Sequence, residues 1–167
     1  EVNPMKTLIS IFILILFIVP NVMAAGSASS TPAVSKDVKT FNKGVKLMLD
    51  KKFVKAEKQF REALEINERF AEAHNTLAYT LRKQGADHFD EALMHYNRAI
   101  ELNPKLPEPY MYRGVLYVQM GNKSLALEDH EKLLAMGSPL AEELEYVLVN
   151  GLEKEPEQFF GVSRKMK

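Results

Sequence analysis

The chain has 167 residues, with 22 basic and 22 acidic side chains, so its formal net charge is zero. That balance argues against general nucleic-acid or anionic-membrane binding, both of which need an excess of basic charge. With no cysteine, disulfide staples, thiolate metal sites, a cysteine nucleophile and a lipidated cysteine anchor are all excluded.

Met5-Lys6-Thr7 precedes an apolar run from Leu8 to Val19, broken only by Ser10. A membrane-spanning helix needs about 20 apolar residues, so this run is too short to span. It matches the apolar core of a secretory signal with one positive charge ahead of it. Pro20 and Asn21 stop it, and Val22-Met23-Ala24 supplies small or modest side chains at the two positions that a signal peptidase reads. Residues 1–24 are therefore predicted to be a signal segment cleaved after Ala24 (Ala25 is the second choice), with Glu1–Pro4 upstream of a start at Met5. An uncleaved anchor is the alternative. The predicted compartment is the periplasm or the exterior of a bacterial cell, with no stable membrane span after cleavage. Residues 25–36, AGSASSTPAVSK, are small and polar and read as a flexible linker.

From residue 37 the chain repeats itself. Residues 37–70, 71–106 and 107–140 form three consecutive copies, each with two helical halves. In the middle copy Leu77, Ala78 and Leu81 share one face of a first helix, and Gly85 ends it through a left-handed cap. Ala92, Tyr96 and Ala99 then fall at i, i+4 and i+7, one stripe of a second helix that stops at Pro104. The corresponding residues are Gly44, Leu47, Lys51, Ala56, Phe60 and Ala63 in the first copy. In the third they are Gly114, Tyr117, Gly121, Ala126, His130 and Leu133.

A helical-hairpin period of about 34 residues with this small-large-small spacing resembles the tetratricopeptide repeat. The resemblance covers residues 37–140. It implies an all-α fold: a right-handed superhelical array of three helix hairpins. Departures from the pattern are Ala86-Asp87 inserted in the middle turn, Lys51 at a turn-glycine place, Glu68 where proline is common, and Leu133 for a small residue. A plain helical bundle is the competing architecture, but bundles need no fixed period.

Ser138 and Pro139 make a helix start, and Glu142 and Glu143 suit the first turn of that helix. Leu144, Val147, Leu148 and Gly151 trace one face, predicted to cap the open end of the array within a folded unit of 37–151. Residues 152–167 read as a weakly ordered tail.

The resemblance also implies that the first helices line a concave groove. By position the groove is lined by Val38, Phe41, Val45 and Met48, then Asn75, Tyr79 and Arg82, then Met111, Tyr112 and Val115. Val38, Phe41, Val45 and Met48 also form a continuous apolar stripe at helical spacing. Core packing is the other use for that stripe, if the turn near Lys51 rotates α-helical register by one residue. The best-known ligand mode of the family clamps a C-terminal carboxylate with lysines, asparagines and an arginine. Those places here hold Phe41, Val45, Thr76, Glu108 and Tyr112, so that clamp is not expected.

His74, His88, His95 and His130 show no carboxylate–histidine metal pattern, and His74 and His130 stand where aromatic core residues are usual. No phosphate-binding glycine loop or serine elbow appears. The sequence thus predicts a non-enzymatic protein-binding module of the bacterial envelope, without metal or cofactor. Its partner would be a peptide or helix of another protein. Self-association into a structural oligomer, or service as a regulatory subunit of an envelope enzyme, are the alternatives.

Overall fold

The computed structural model describes residues 34–153. The predicted signal segment, almost all of the predicted linker and the tail from 154 onward lie outside the described residues. Among the described residues seven α-helices follow one another: α1 (Lys36–Leu49), α2 (Phe53–Ile66), α3 (Ala71–Arg82), α4 (Phe89–Leu102), α5 (Pro107–Gln119), α6 (Lys123–Ala135) and α7 (Leu140–Asn150). No strand occurs among the described residues. α1/α2, α3/α4 and α5/α6 pair as antiparallel hairpins that stack in chain order, and α7 closes the end. The result is the expected superhelical array of three hairpins and a capping helix. α3 and α5 start at Ala71 and Pro107, the predicted starts of the second and third copies, and α1 starts one residue inside the predicted linker.

The small-large pattern explains the hairpins. A Cβ placed on Gly44 would lie 2.7 Å from the ring of Phe60, so glycine lets α1 and α2 approach to ring contact. Phe60, Leu77, Ala78, Leu81, Ala92, Tyr96 and Ala99 are fully buried. Burying each large apolar side chain is worth about 1.5–3 kcal/mol, and one hairpin alone has no second surface to bury it against.

The connections repeat as well. α2 and α4 both end on an asparagine, Asn67 and Asn103, whose side-chain oxygen accepts the amide of Arg69 or Lys105 at 3.2 Å. This is a local turn that lets the next helix start. The turns inside the first and third hairpins carry Lys51 at φ 57 and Gly121 at φ 78, both left-handed. The middle turn differs: Gly85 takes φ 126 and ψ 179, a region open only to glycine, instead of the expected left-handed cap. The two inserted residues are accommodated by a short 3₁₀ turn, Ala86–His88.

Polar ties join the hairpins. Arg61 on α2 bonds Glu57 on its own helix and Glu91 on α4. Arg113 on α5 forks onto Asp129 of α6 and also reaches Asn97 of α4.

At the C-terminal end the pattern changes. Pro139 is the cap residue of α7, and just ahead of it the Ser138 hydroxyl accepts the Leu140 amide at 3.2 Å. α7 packs against α5 as well as α6, more closely than α1 packs on α3 or α3 on α5. The hollow of Gly114 is accordingly occupied by Leu144 of α7, within 2.5 Å of a hypothetical Cβ.

Candidate partner-binding face

The ten residues assigned to the groove do not share one environment. Val38, Phe41 and Tyr79 are half-buried. Val45, Met48, Asn75, Arg82, Met111, Tyr112 and Val115 are buried. The open stripe predicted on α1 is therefore corrected in part. Val45 and Met48 join the main core, and the Phe41 ring packs at a tilt against Phe60 at 5.6 Å and Phe70 at 4.8 Å. The packing use of the stripe accounts for these three, leaving Val38 at its rim. On α5, the three assigned residues lie on the helix against which α7 leans, and none is open to a partner as the chain stands.

What the structure does bring together is a polar and aromatic cluster at the middle hairpin. Tyr79 on α3 meets Tyr112 on α5 edge to face at 5.2 Å, and Tyr112 stacks on Tyr96 of α4 at 6.5 Å. Arg82, one turn beyond Tyr79 on α3, lies over the Tyr79 ring at 5.4 Å. Its side chain is 0% exposed. A buried guanidinium needs an anion, and Glu153 supplies it. Arg82 Nη1 and Nη2 donate to the two carboxylate oxygens of Glu153 at 2.9 and 2.7 Å. Arg82 Nη1 also donates to Gln119 Oε1 at the end of α5, at 3.2 Å. Lys83 Nζ stands 3.5 Å from the same carboxylate. The C-terminal ends of α3, α5 and α7 thus converge on one arginine.

The electrostatics follow from this packing. Burial opposes the Arg82 charge, but the hydrogen bonds and charge of Glu153 outweigh it and raise its pKa above that of a free guanidinium. Burial pushes the Glu153 carboxyl up, and the hydrogen bonds and charge of Arg82, with help from Lys83, outweigh it and hold the group below the usual carboxylate range. Burial raises both Tyr96 and Tyr112 above an ordinary phenol, so both remain neutral hydroxyls.

A second cluster lies between α3 and α4. His74 Nδ1 and His95 Nδ1 are 2.9 Å apart, and His74 Nε2 is 3.0 Å from the Glu68 carbonyl oxygen. A carbonyl can only accept, so the His74 proton sits on Nε2 when that ring is neutral and His95 Nδ1–H donates between the rings. Burial and the neighbouring His74 push His95 down to about 4. Burial likewise lowers His74, partly offset by its bond to Glu68. Among the described residues no group of three potential metal ligands is placed to hold an ion.

Three members of the arginine site were not singled out in the sequence for this role. Gln119 carries no motif signal. Tyr96 read as a core knob. Glu153 lies at the start of the segment read as a weakly ordered tail; its carboxylate is bonded to Arg82 of α3, and the tail from 154 onward lies outside the described residues. The exchange spans 71 residues of sequence, a distance over which no local pattern operates. The pairing of His74 with His95 was likewise invisible to spacing.

Residues 88–121 match the family model described as TPR repeat. Among curated proteins, the human tetratricopeptide repeat protein 6 is 38% identical over 74 residues, which are 44% of this chain and 14% of that protein. This chain therefore spans only a small part of that relative's length. Among solved structures, the first TPR of Spaghetti (RPAP3) bound to the HSP90 peptide SRMEEVD is similar at a TM-score of 0.62 and 18% identity, covering 70% of this chain and 92% of that one. PcrH in complex with the chaperone binding region of PopD is similar at 0.61 and 17% identity, covering 70% and 92%. At these identities the likeness establishes the fold, the helical repeat array described above.

Proposed function

We propose that the chain is a protein-binding module that holds an extended or helical segment of a partner along the inner face of the first helices, where Val38, Phe41 and Tyr79 are half-buried. The carrying observation is the stacked array itself. Hairpins that cannot bury their apolar faces alone make a preformed curved surface when stacked, and a preformed surface lowers the ordering cost of binding. Similar arrays solved with a bound peptide or with a partner's binding region support the reading. The family's carboxylate-clamp places hold Phe41, Val45, Thr76, Glu108 and Tyr112, so the ligand of the Spaghetti domain is not carried over to this chain. The function is non-enzymatic and acts in the bacterial envelope. Export rests on Lys6, the apolar run from Leu8 to Val19 and the Val22-Met23-Ala24 site. No helix among the described residues is long and apolar enough to cross a membrane.

The test is site-specific photocrosslinking of the full chain in its native host. A photoreactive residue replaces Val38 or Tyr79 on the proposed face, or Met94, which is 65% exposed on α4. The expected result is a discrete partner adduct from positions 38 and 79 and none from 94. Equal yields at all three positions, or adducts from 94 alone, overturn the assignment. N-terminal sequencing of the mature protein tests export: a chain beginning at Ala25 or Gly26 supports it, and one beginning at Met5 refutes cleavage.

A further inference from the structure

We infer that Arg82 is the acceptor for an acidic side chain of the partner, and that the chain fills this acceptor with its own Glu153 when no partner is bound. The inference rests on the proposed binding reading and gives the partner a chemistry: a peptide segment presenting an aspartate or glutamate carboxylate.

Three observations carry it. First, Arg82 has 0% side-chain exposure and both of its terminal nitrogens point at one carboxylate. A bidentate fork selects a carboxylate over a single acceptor, and a guanidinium so desolvated tolerates no vacancy. Second, the carboxylate comes from outside any helix. α7 ends at Asn150, Gly151 turns left-handed at φ 73, and Glu153 follows two residues later. Third, α7 is rooted by its buried Val147 and Leu148, and beyond its end at Asn150 the Glu153 carboxylate is the anchor described for the segment. The flanking apolar side chains Val149 and Leu152 are 76% and 59% exposed, so they add no buried anchor beside Glu153. A segment fastened through one carboxylate, with Leu152 in solvent, can be exchanged for another that brings the same carboxylate and better apolar contacts.

The position of Arg82 makes the exchange consequential. It lies one turn beyond Tyr79, over that ring, beside the one stretch of the inner face where Tyr79 remains half-buried. A partner carboxylate on Arg82 would lay its flanking residues along Tyr79 and the inner surface of α3. A tethered competitor of this kind acts at an effective concentration in the millimolar range, which a partner must exceed through its additional contacts.

The test uses the full chain and a defined probe, the peptide acetyl-Asn-Gly-Leu-Glu-Lys-Glu-amide, which copies residues 150–155. A control peptide carries glutamine at the Glu153 position. Titrations are followed by NMR shifts of wild-type, Glu153→Ala and Arg82→Gln chains, each checked for native helix content. Saturable binding to Glu153→Ala should be about tenfold or more tighter than to wild-type. It should be lost with the control peptide and with Arg82→Gln. Equal affinity for wild-type and Glu153→Ala, or no saturation of folded Glu153→Ala at millimolar peptide, overturns the inference. If Glu153→Ala does not fold, amide exchange of the wild-type chain decides. Amides at residues 80–84 should exchange more slowly with millimolar glutamate peptide than with the glutamine control, and equal rates overturn the inference. Failure here with crosslinks retained at positions 38 and 79 rejects only the acidic-acceptor idea. Peptide binding without those crosslinks rejects the broader face assignment.

Discussion

Leu144 of α7 fills the hollow over Gly114 of α5, with both of its methyl groups within 2.8 Å of where a Cβ would stand. Both branches and the Cγ at 3.2 Å crowd the position, and Leu144 is fully buried, so it can move away only by repacking its neighbours. Gly114→Ala gains about 0.5–1 kcal/mol of helix propensity but overpacks by about 1–3 kcal/mol. The expected net loss is about 1–2 kcal/mol, read from the urea midpoint at unchanged slope. Leu144→Ala, which creates a cavity, should cost about 2–5 kcal/mol. The double variant should be less unstable than the two losses added, because the alanine methyl at 114 then occupies space vacated at 144. Strict additivity would contradict the contact.

Lys51 is the one described non-glycine residue with positive φ, at 57°. It stands where the third hairpin has Gly121. The left-handed region costs a side-chain-bearing residue about 1–2 kcal/mol, and glycine gives part of this back as unfolded-chain entropy. Lys51→Gly should therefore stabilise the chain by about 0.5–1 kcal/mol in chemical denaturation. A loss of stability would mean that the Lys51 side chain makes compensating contacts.

Repetition made most of the fold legible. The positions of Gly44, Phe60, Ala78, Tyr96, Ala92 and Ala99 in register predicted which faces meet, because a stacked array reuses one local solution. The paired asparagines Asn67 and Asn103, 36 positions apart, mark helix ends for the same reason. The inner face was less legible because it depends on what lies across it. Whether Met111 or Val115 is open is decided by how far α7 leans onto α5, and that in turn depends on Gly114 meeting Leu144. Repeat position alone assigns Gly114 to its own hairpin, as it does correctly for Gly44. Arg82 was placed on the inner face by position, but its anion came from Glu153, beyond the last copy, where the repeat carries no information.

Arg113 and Asp129 form an asymmetric pair, and truncating them should reveal it. The Asp129 side chain is 3% exposed and that of Arg113 20%. Arg113 Nε and Nη2 donate to the two Asp129 oxygens at 3.0 and 2.6 Å, Nη1 donates to Asn97 Oδ1 at 2.6 Å, and the guanidinium lies near the rings of Tyr110 and Tyr117. Burial raises the Asp129 carboxyl above its ordinary range even with Arg113 beside it. Arg113→Ala strands that carboxylate and should cost about 3–5 kcal/mol. Asp129→Ala leaves a guanidinium that keeps Asn97 and reaches water, so its cost should be nearer about 1–3 kcal/mol. Equal costs in denaturant titrations would contradict the asymmetry.

The His74–His95 contact should make the chain acid-sensitive well above the titration range of its carboxylates. One proton fits between the two Nδ1 atoms at 2.9 Å, and the Glu68 carbonyl fixes another on His74 Nε2. Full protonation of both rings would set two N–H groups against each other. His95 is pushed down to about 4 from an ordinary value of 6.5 by burial and by His74, with Glu91 opposing, and His74 is lowered by burial. A depressed folded-state pKa means that the unfolded chain binds the proton first as pH falls. Stability is therefore unaffected above about pH 7 and declines from about 6.5 toward 4. Since His95 is not fully enclosed, the loss between pH 7 and 5 is discounted for solvent screening to about 1–2 kcal/mol. Urea midpoints measured across that window should fall steadily for the wild-type chain. The double variant His74→Phe/His95→Leu removes both titrating rings and should show a flat profile over the same range. A wild-type profile that is flat from pH 7 to 5, or one unchanged by the double variant, would show that the two rings exchange their protons with the unfolded chain at no cost.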